Sequence, residues 1–182
     1  SSLKSNGVVV IPKGDYLLEE ELSRVWKGKI VRVSIKDSTG LDHLVSEKHF
    51  SFDTSFELNG VVDSSRKLLL VEDQSIPLPL EGYHNAKNFM LAIAVGRELG
   101  VSFSDMKSLS IDLPTGRNRV LRIGQLTVLD ESYNSCPESV RASLSLLKDK
   151  PGRHFVVIGT MKELGKESIP LHREVANYIS QL

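Results

Sequence analysis

From Val8 to Ile35 the chain reads strand, helix, strand, and that order constrains the fold more than any other feature. Val8-Val9-Val10-Ile11 is a β-branched run suited to a buried strand. Asp15 can cap a helix running to about Trp26, with Leu18, Leu22 and Val25 as its apolar positions. Lys29 to Ile35 then alternates as a strand. A helix between two strands is the crossover that parallel pairing requires, so the pattern predicts a parallel sheet. Shorter strands follow at Ser55 to Val62, Lys67 to Val71 and Ile76 to Leu80. Asn59-Gly60 and Asp63-Ser64-Ser65 supply turn chemistry among them, so this section reads as an antiparallel patch. The fold class is α/β.

A long helix comes next. Phe89, Ala92, Ile93, Val95 and Leu99 make its expected apolar face, and Gly100 stands where a helix commonly ends. His84, Asn85 and Asn88 cluster at its start. A helix start offers N–H groups and partial positive charge. Asn85 and Asn88 lie one turn apart on one face, so both amides can reach a common ligand. An amide donates and accepts at once, as a purine edge requires. Helix capping by Asn85 with a solvated Asn88 explains the same residues, and on spacing alone it is somewhat favoured.

Pro114-Thr115-Gly116-Arg117 breaks the pattern and predicts a domain boundary, with domains at 1–113 and 114–182. Arg119 to Ile123 and Leu126 to Leu129 form an expected hairpin around Gly124-Gln125. The second strand ends in Asp130 and Glu131, then in the polar turn Ser132-Tyr133-Asn134-Ser135. Pro137 opens a helix carrying Val140, Leu144 and Leu147 on one face. A strand that stops in acids and amides before a helix is a common place to bind a nucleotide or polar substrate, and also a common plain connection. A strand over His154 to Ile158 and a final helix striped with Leu171, Val175, Tyr178/Ile179 and Leu182 complete a second α/β unit. That unit reads as lacking its last strands. With a start at Ser-Ser-Leu and a stop inside a helix, the expectation is a piece of a longer enzyme.

Composition and spacing exclude several classes. Lys+Arg and Asp+Glu are both 23, for a net charge of zero, which argues against a general nucleic-acid or membrane-surface binder. The single cysteine, Cys136, rules out an internal disulfide and fits a reducing compartment. It precedes a helix start but has no neighbouring base in sequence, so a capping or buried role is expected. The five histidines (His43, His49, His84, His154, His172) show no paired zinc spacing. No signal peptide or membrane-spanning run is visible. Gly159 to Glu167 imitates a phosphate-binding loop, yet five residues separate its glycines where that motif has four, and Glu167 stands where Ser or Thr holds magnesium.

Four elements occur in order: Tyr83-His84-Asn85-Ala86-Lys87-Asn88, Pro114-Thr115-Gly116-Arg117, Asp130-Glu131-Ser132-Tyr133-Asn134, and Gly159 to Gly165 with Ser168 and His172. Together they resemble the Mur ligase family, most closely its MurF type, which adds D-alanyl-D-alanine to the UDP-N-acetylmuramoyl tripeptide. The resemblance is diffuse before about Pro79 and specific from Gly82 onward. It implies the back half of the family's central ATP-binding domain followed by the front half of a Rossmann-like C-terminal domain. The N-terminal substrate domain, the phosphate-binding loop and the end of the C-terminal domain would lie outside the chain.

The chemistry so implied is ATP-dependent amide formation, in peptidoglycan precursor synthesis. The γ-phosphoryl group goes to a substrate carboxylate, and the incoming amine displaces phosphate from the acyl phosphate. By the same resemblance His84, Asn85 and Asn88 shape and contact the adenine site. Arg117 is the catalytic cation that reaches ATP phosphate, Glu131 holds the ribose, and Asn134 and Ser135 line the dipeptide cleft. ATP and Mg²⁺ are the implied cofactors, the magnesium ligands falling mostly outside this chain. UDP-MurNAc-peptide and D-Ala-D-Ala are the implied partners, with neither nucleic acid nor membrane. The expected compartment is the cytoplasm, or a plastid stroma in a plastid-bearing source. The 182-residue piece alone is expected to bind ATP very weakly and to lack ligase activity.

The chain also departs from the family pattern. Glu131 replaces a usual Asp, Cys136 replaces an Asn, and Thr160 replaces an Asp. Ile11-Pro12-Lys13-Gly14-Asp15 stands where Asn-Ala-Asp is usual, with only Asp15 retained. A folylpolyglutamate synthase-like ligase, or a non-catalytic scaffold descended from the family, are the alternatives.

Overall fold

The computed structural model describes residues 7–37 and 55–182. His43 and His49 lie outside the described residues. The chain divides into two compact units, residues 1–110 and 111–182.

The first unit is a five-stranded sheet in the order β1 (Val8–Pro12), β2 (Lys29–Asp37), β3 (Ser55–Asp63), β4 (Leu68–Val71), β5 (Gln74–Pro77). β1, β2 and β3 run parallel, with Val10 opposite Val31 and Val33 opposite Leu58. β3, β4 and β5 pair antiparallel. The parallel start and antiparallel continuation are as the sequence predicts. β5 begins two residues earlier than expected, because Glu72, at φ +52, turns the chain tightly and sets Val71 opposite Gln74. Asn59-Gly60, read as a turn, lies inside β3. A Cβ at Gly60 would stand 3.1 Å from Met90 Sδ and 3.2 Å from Leu69, so this glycine makes room for a close approach to the sheet.

The long helix α2 (Tyr83–Glu98) covers one face of the sheet. Its buried residues are Ala86, Phe89, Met90, Ile93 and Ala94, packed with Val31, Val33, Leu58, Val62, Leu69, Val71 and Ile76. The expected apolar face is therefore corrected. Phe89 and Ile93 belong to it, but Ala92, Val95 and Leu99 are exposed. At 100° per residue, 86, 89, 90, 93 and 94 share a side that 92, 95 and 99 do not. Leu99 ends the helix and Gly100 follows at φ +79, as expected. A short helix, α3 (Phe103–Lys107), comes next; Ser102 caps it by accepting from the Asp105 N–H.

The opposite face carries charge. Asp15 caps α1 (Tyr16–Val25) through the Leu18 N–H, as predicted. Its expected apolar positions do not form the buried face, since Leu18 and Val25 are exposed and Glu19 is the residue buried. Glu19 accepts the Gly14 N–H at 2.9 Å and lies 4.0 Å from Arg32 on β2. Arg32 also pairs with Glu57 at 3.0 Å, and Glu57 with Lys13 at 2.8 Å. A buried carboxylate needs such partners, and this chain of contacts ties the Lys13-Gly14-Asp15 loop to β2 and β3.

The second unit is smaller. β6 (Arg119–Ile123) and β7 (Leu126–Asp130) form the expected hairpin, followed by α4 (Pro137–Lys148), a short 3₁₀ turn at Gly165–Glu167 and α5 (Ser168–Ser180). Leu144 on α4 and Val175 on α5 are buried, and Arg141 pairs with Glu174 between the two helices. The expected strand at His154 to Ile158 is absent: these residues join no ladder, and Val157 is 98% exposed. A strand exists only where a neighbour accepts its hydrogen bonds, and among the described residues β6 and β7 pair with each other and with no third strand. Among the described residues no helix is long and apolar enough to cross a membrane.

Candidate functional site

The first group of candidate residues sits where α2 begins. Gly82 precedes the helix at φ +103, and no side chain caps it. The Tyr83 hydroxyl donates to the Ile35 carbonyl at 2.8 Å, pinning the helix start to the carboxyl end of β2. Because β1, β2 and β3 are parallel, their carboxyl ends share that edge, where open α/β sheets bind ligands. His84 and Asn85 are half-buried and Asn88 is exposed. Asn85 Nδ2 donates to the Glu81 carbonyl at 2.6 Å. Asn85 is thus inside the first turn and does not act as the N-cap, so the capping explanation of this residue fails. Its amide is oriented from behind by Glu81. The Tyr83 hydroxyl and this amide both hold the helix entry.

The second group lies within the other unit. Arg117 leaves the Pro114–Gly116 segment and stacks its guanidinium 4.1 Å from the centroid of the Tyr133 ring. The Tyr133 N–H donates to the Gly116 carbonyl at 2.9 Å. Gly116 is buried at φ +78, and a Cβ there would meet Tyr133 N at 2.8 Å. Only glycine fits both the backbone angle and this approach. The structure therefore brings Arg117 against the turn that follows β7.

Within that turn the acids differ in what they do. Asp130 Oδ1 accepts from the Ser132 hydroxyl at 2.6 Å and from the Ser132 N–H at 3.1 Å. The hydroxyl bond first, then the N–H, with Arg119 adding attraction, hold its carboxyl below the usual aspartate range. Asp130 is thus committed to shaping the turn. Glu131 is half-buried, and its side chain has no hydrogen bond or ion pair among the described residues, so it is the uncommitted acid of the turn. Asn134 is exposed, and its Oδ1 accepts the Ser135 N–H at 2.9 Å. Cys136 is exposed at the N-cap of α4, and its N–H donates to Ser139 Oγ at 3.0 Å, a capping role as expected. Pro137 opens the helix.

The Gly159–Gly165 segment is held as a structural loop. Met161 is buried, and its N–H donates to His172 Nε2 at 3.2 Å. Since Nε2 accepts, the proton sits on Nδ1, which donates to the Ser168 carbonyl at 2.7 Å. Among the described residues no group of three His, Cys, Asp or Glu side chains comes together to hold a metal ion.

Sequence reasoning gave no role to Tyr83, Tyr133 or the His172 bond. Each acts on a partner 11 or more positions away, from Ile35 to Met161. Periodicity over one element carries no signal for such contacts.

Comparison with known proteins agrees with this architecture. The family model described as "Mur ligase, glutamate ligase domain" matches residues 116–182. The curated UDP-N-acetylmuramoyl-tripeptide–D-alanyl-D-alanine ligase of Synechocystis is 34% identical over 176 residues, which is 95% of this chain and 34% of that protein. The chain spans about a third of the length of the curated relatives it matches. Among solved structures, MurF from Acinetobacter baumannii superimposes with a TM-score of 0.73 at 22% identity, covering 99% of this chain and 37% of that one. The MurF ligase from Thermotoga maritima, solved in complex with ADP, gives a TM-score of 0.65 at 23% identity over 98% of this chain and 39% of that one. Both likenesses establish the α/β fold.

Proposed function

The chain belongs to the Mur ligase family, and on that premise we propose that it is part of an ATP-dependent amide ligase. The reaction joins D-alanyl-D-alanine to a UDP-N-acetylmuramoyl tripeptide, in making peptidoglycan precursors. The observation that carries this reading is the 34% identity to the Synechocystis ligase along 95% of the chain. Residues 1–113 then supply the C-terminal part of the central ATP-binding domain, and residues 114–182 the first part of the C-terminal domain. The compartment would be the cytoplasm, or a plastid stroma in a plastid-bearing source.

The roles are those the family resemblance implies, and the local geometry is compatible with them. Asn85 and Asn88 present amides from the start of α2 toward adenine, and His84 borders them. Their position at the carboxyl ends of parallel strands suits a nucleotide. Glu131 accepts from the ribose hydroxyls, since Asp130 is engaged by Ser132. Its extra methylene relative to Asp lengthens that reach. Arg117 meets the ATP phosphates, where a planar, always-charged fork suits phosphate oxygens. Asn134 and Ser135 border the dipeptide.

In the reaction a carboxylate oxygen of the tripeptide attacks the γ-phosphorus, and ADP leaves. The dipeptide amine then attacks the carbonyl carbon and phosphate leaves, with the amine proton passing to solvent or base. Mg²⁺ supplies charge neutralisation on the phosphates. Its ligands would fall mostly outside this chain.

The test is phosphate release by the full-length ligase containing this chain. Release is expected only when ATP, the UDP-linked tripeptide and D-alanyl-D-alanine are all present. Release that needs a folate or glutamate instead would move the chain to another branch of the family. Absence of turnover with intact nucleotide binding would favour the non-catalytic reading.

A further inference from the structure

We propose that Tyr133 is the positioning residue that presents Arg117 to the nucleotide, an inference that rests on the phosphate role proposed for Arg117. An arginine on an exposed segment has many rotamers, and holding one of them costs entropy. Here two independent features restrict it. The backbone clasp between Gly116 and Tyr133 fixes where the Arg117 side chain leaves the chain. The Tyr133 ring, 4.1 Å from the guanidinium, then fixes its plane.

The stack matters because of which atoms it leaves available. A guanidinium stacked on a ring uses its face, whereas its N–H donors lie in the plane and point outward. The donors stay available to phosphate oxygens while the side chain is already oriented. The acids of the same turn do not capture it. Asp130 is occupied by Ser132, and Glu131 forms no ion pair with Arg117 among the described residues. An Arg–carboxylate pair would use the very edge that phosphate needs. Tyr133 thus stores Arg117 in a state ready for use, and the Asp130–Ser132 bonds keep the ring's turn in shape.

The position lies within the Asp130-Glu131-Ser132-Tyr133-Asn134 element, yet the aromatic ring there touches neither reactant in this reading. Its effect passes entirely through Arg117.

The test is a double-mutant cycle in the full-length ligase containing this chain. Tyr133→Leu is expected to lower kcat by roughly two- to fivefold, the rate equivalent of an exposed cation–π contact. Tyr133→Phe, which keeps the ring, restores most of that loss. In an Arg117→Ala background, Tyr133→Leu costs nothing further, because its only route of action is gone. A merely structural role would instead lower the melting temperature and slow both backgrounds equally. In the NMR spectrum the Arg117 side-chain signals are shifted upfield by the ring in the parent and in Tyr133→Phe, and lose that shift in Tyr133→Leu. Slow Arg117→Ala with Tyr133→Leu at the parental rate overturns the positioning role alone. Arg117→Ala at the parental rate overturns the phosphate role and this inference with it.

Discussion

Arg117→Ala lowers kcat of the full-length ligase by about a thousandfold, while the protein keeps its melting temperature. The magnitude is that of removing a cationic clamp from a transferring phosphoryl group, about 4 kcal/mol of transition-state stabilisation. The charge spread over the phosphoryl oxygens grows toward the transition state, so the loss falls on kcat more than on the KM for ATP. Stability is spared because Arg117 is exposed and its stack on Tyr133 is worth only about 1 kcal/mol. Arg117→Lys keeps the charge but not the flat, forked donor set, and falls between the two. A steady-state assay of both variants checks this. A kcat within threefold of the parent for Arg117→Ala would remove Arg117 from the chemistry.

The second large effect is on folding. Ile93→Ala is expected to destabilise the first unit by about 2–5 kcal/mol, the range for truncating a buried aliphatic chain. Ile93 is 1% exposed and lies in the cluster that joins α2 to the sheet. The cavity it leaves cannot collapse easily, because β2, β3 and α2 fix its walls. Against a total stability of about 5–15 kcal/mol, such a loss is severe. Urea unfolding reads it as a fall in midpoint of about 1 M or more, at an unchanged slope. The functional consequence follows from position: α2 carries His84, Asn85 and Asn88, so nucleotide affinity falls with the helix. A midpoint shift of a few tenths molar would mean that α2 is not packed as described.

How far these conclusions could be read from residues alone depended on the range of the contacts. The βαβ opening, the capping by Asp15, the hairpin around Gly124-Gln125 and the helix opened by Pro137 all rest on local preferences. Each appears where the sequence puts it. The errors fall where a distant partner decides. Glu19 is buried because Gly14 and Arg32 meet it, and a helical wheel that expects apolar residues inward cannot see that. Gly60 looks like a turn residue, yet it serves Met90 and Leu69 across the sheet. Phe155 to Ile158 has strand composition, but composition does not supply a neighbouring strand. α3 is short enough that its five residues carry little periodic signal.

The candidate site divides in the same way. Asn85, Asn88, Glu131 and Asn134 stand in ordered motifs and were legible as polar groups at element ends. The family resemblance singled out Glu131, but the residues alone do not say which of the two acids the turn engages. That distinction required the two Ser132 bonds to Asp130, which turn a pair of similar carboxylates into one structural and one available group. The Tyr133 stack on Arg117 lies outside any local pattern for the same reason.

The central claim is that this chain contributes to amide formation through an acyl phosphate. It is tested most directly by following oxygen from the substrate carboxylate. With the tripeptide's terminal carboxylate labelled with ¹⁸O, ATP and D-alanyl-D-alanine are turned over by the full-length ligase and the released phosphate is examined by mass spectrometry. One labelled oxygen per phosphate is the predicted result, because the carboxylate oxygen that attacks phosphorus leaves with it. Phosphate without label, alongside formed amide, would contradict the account.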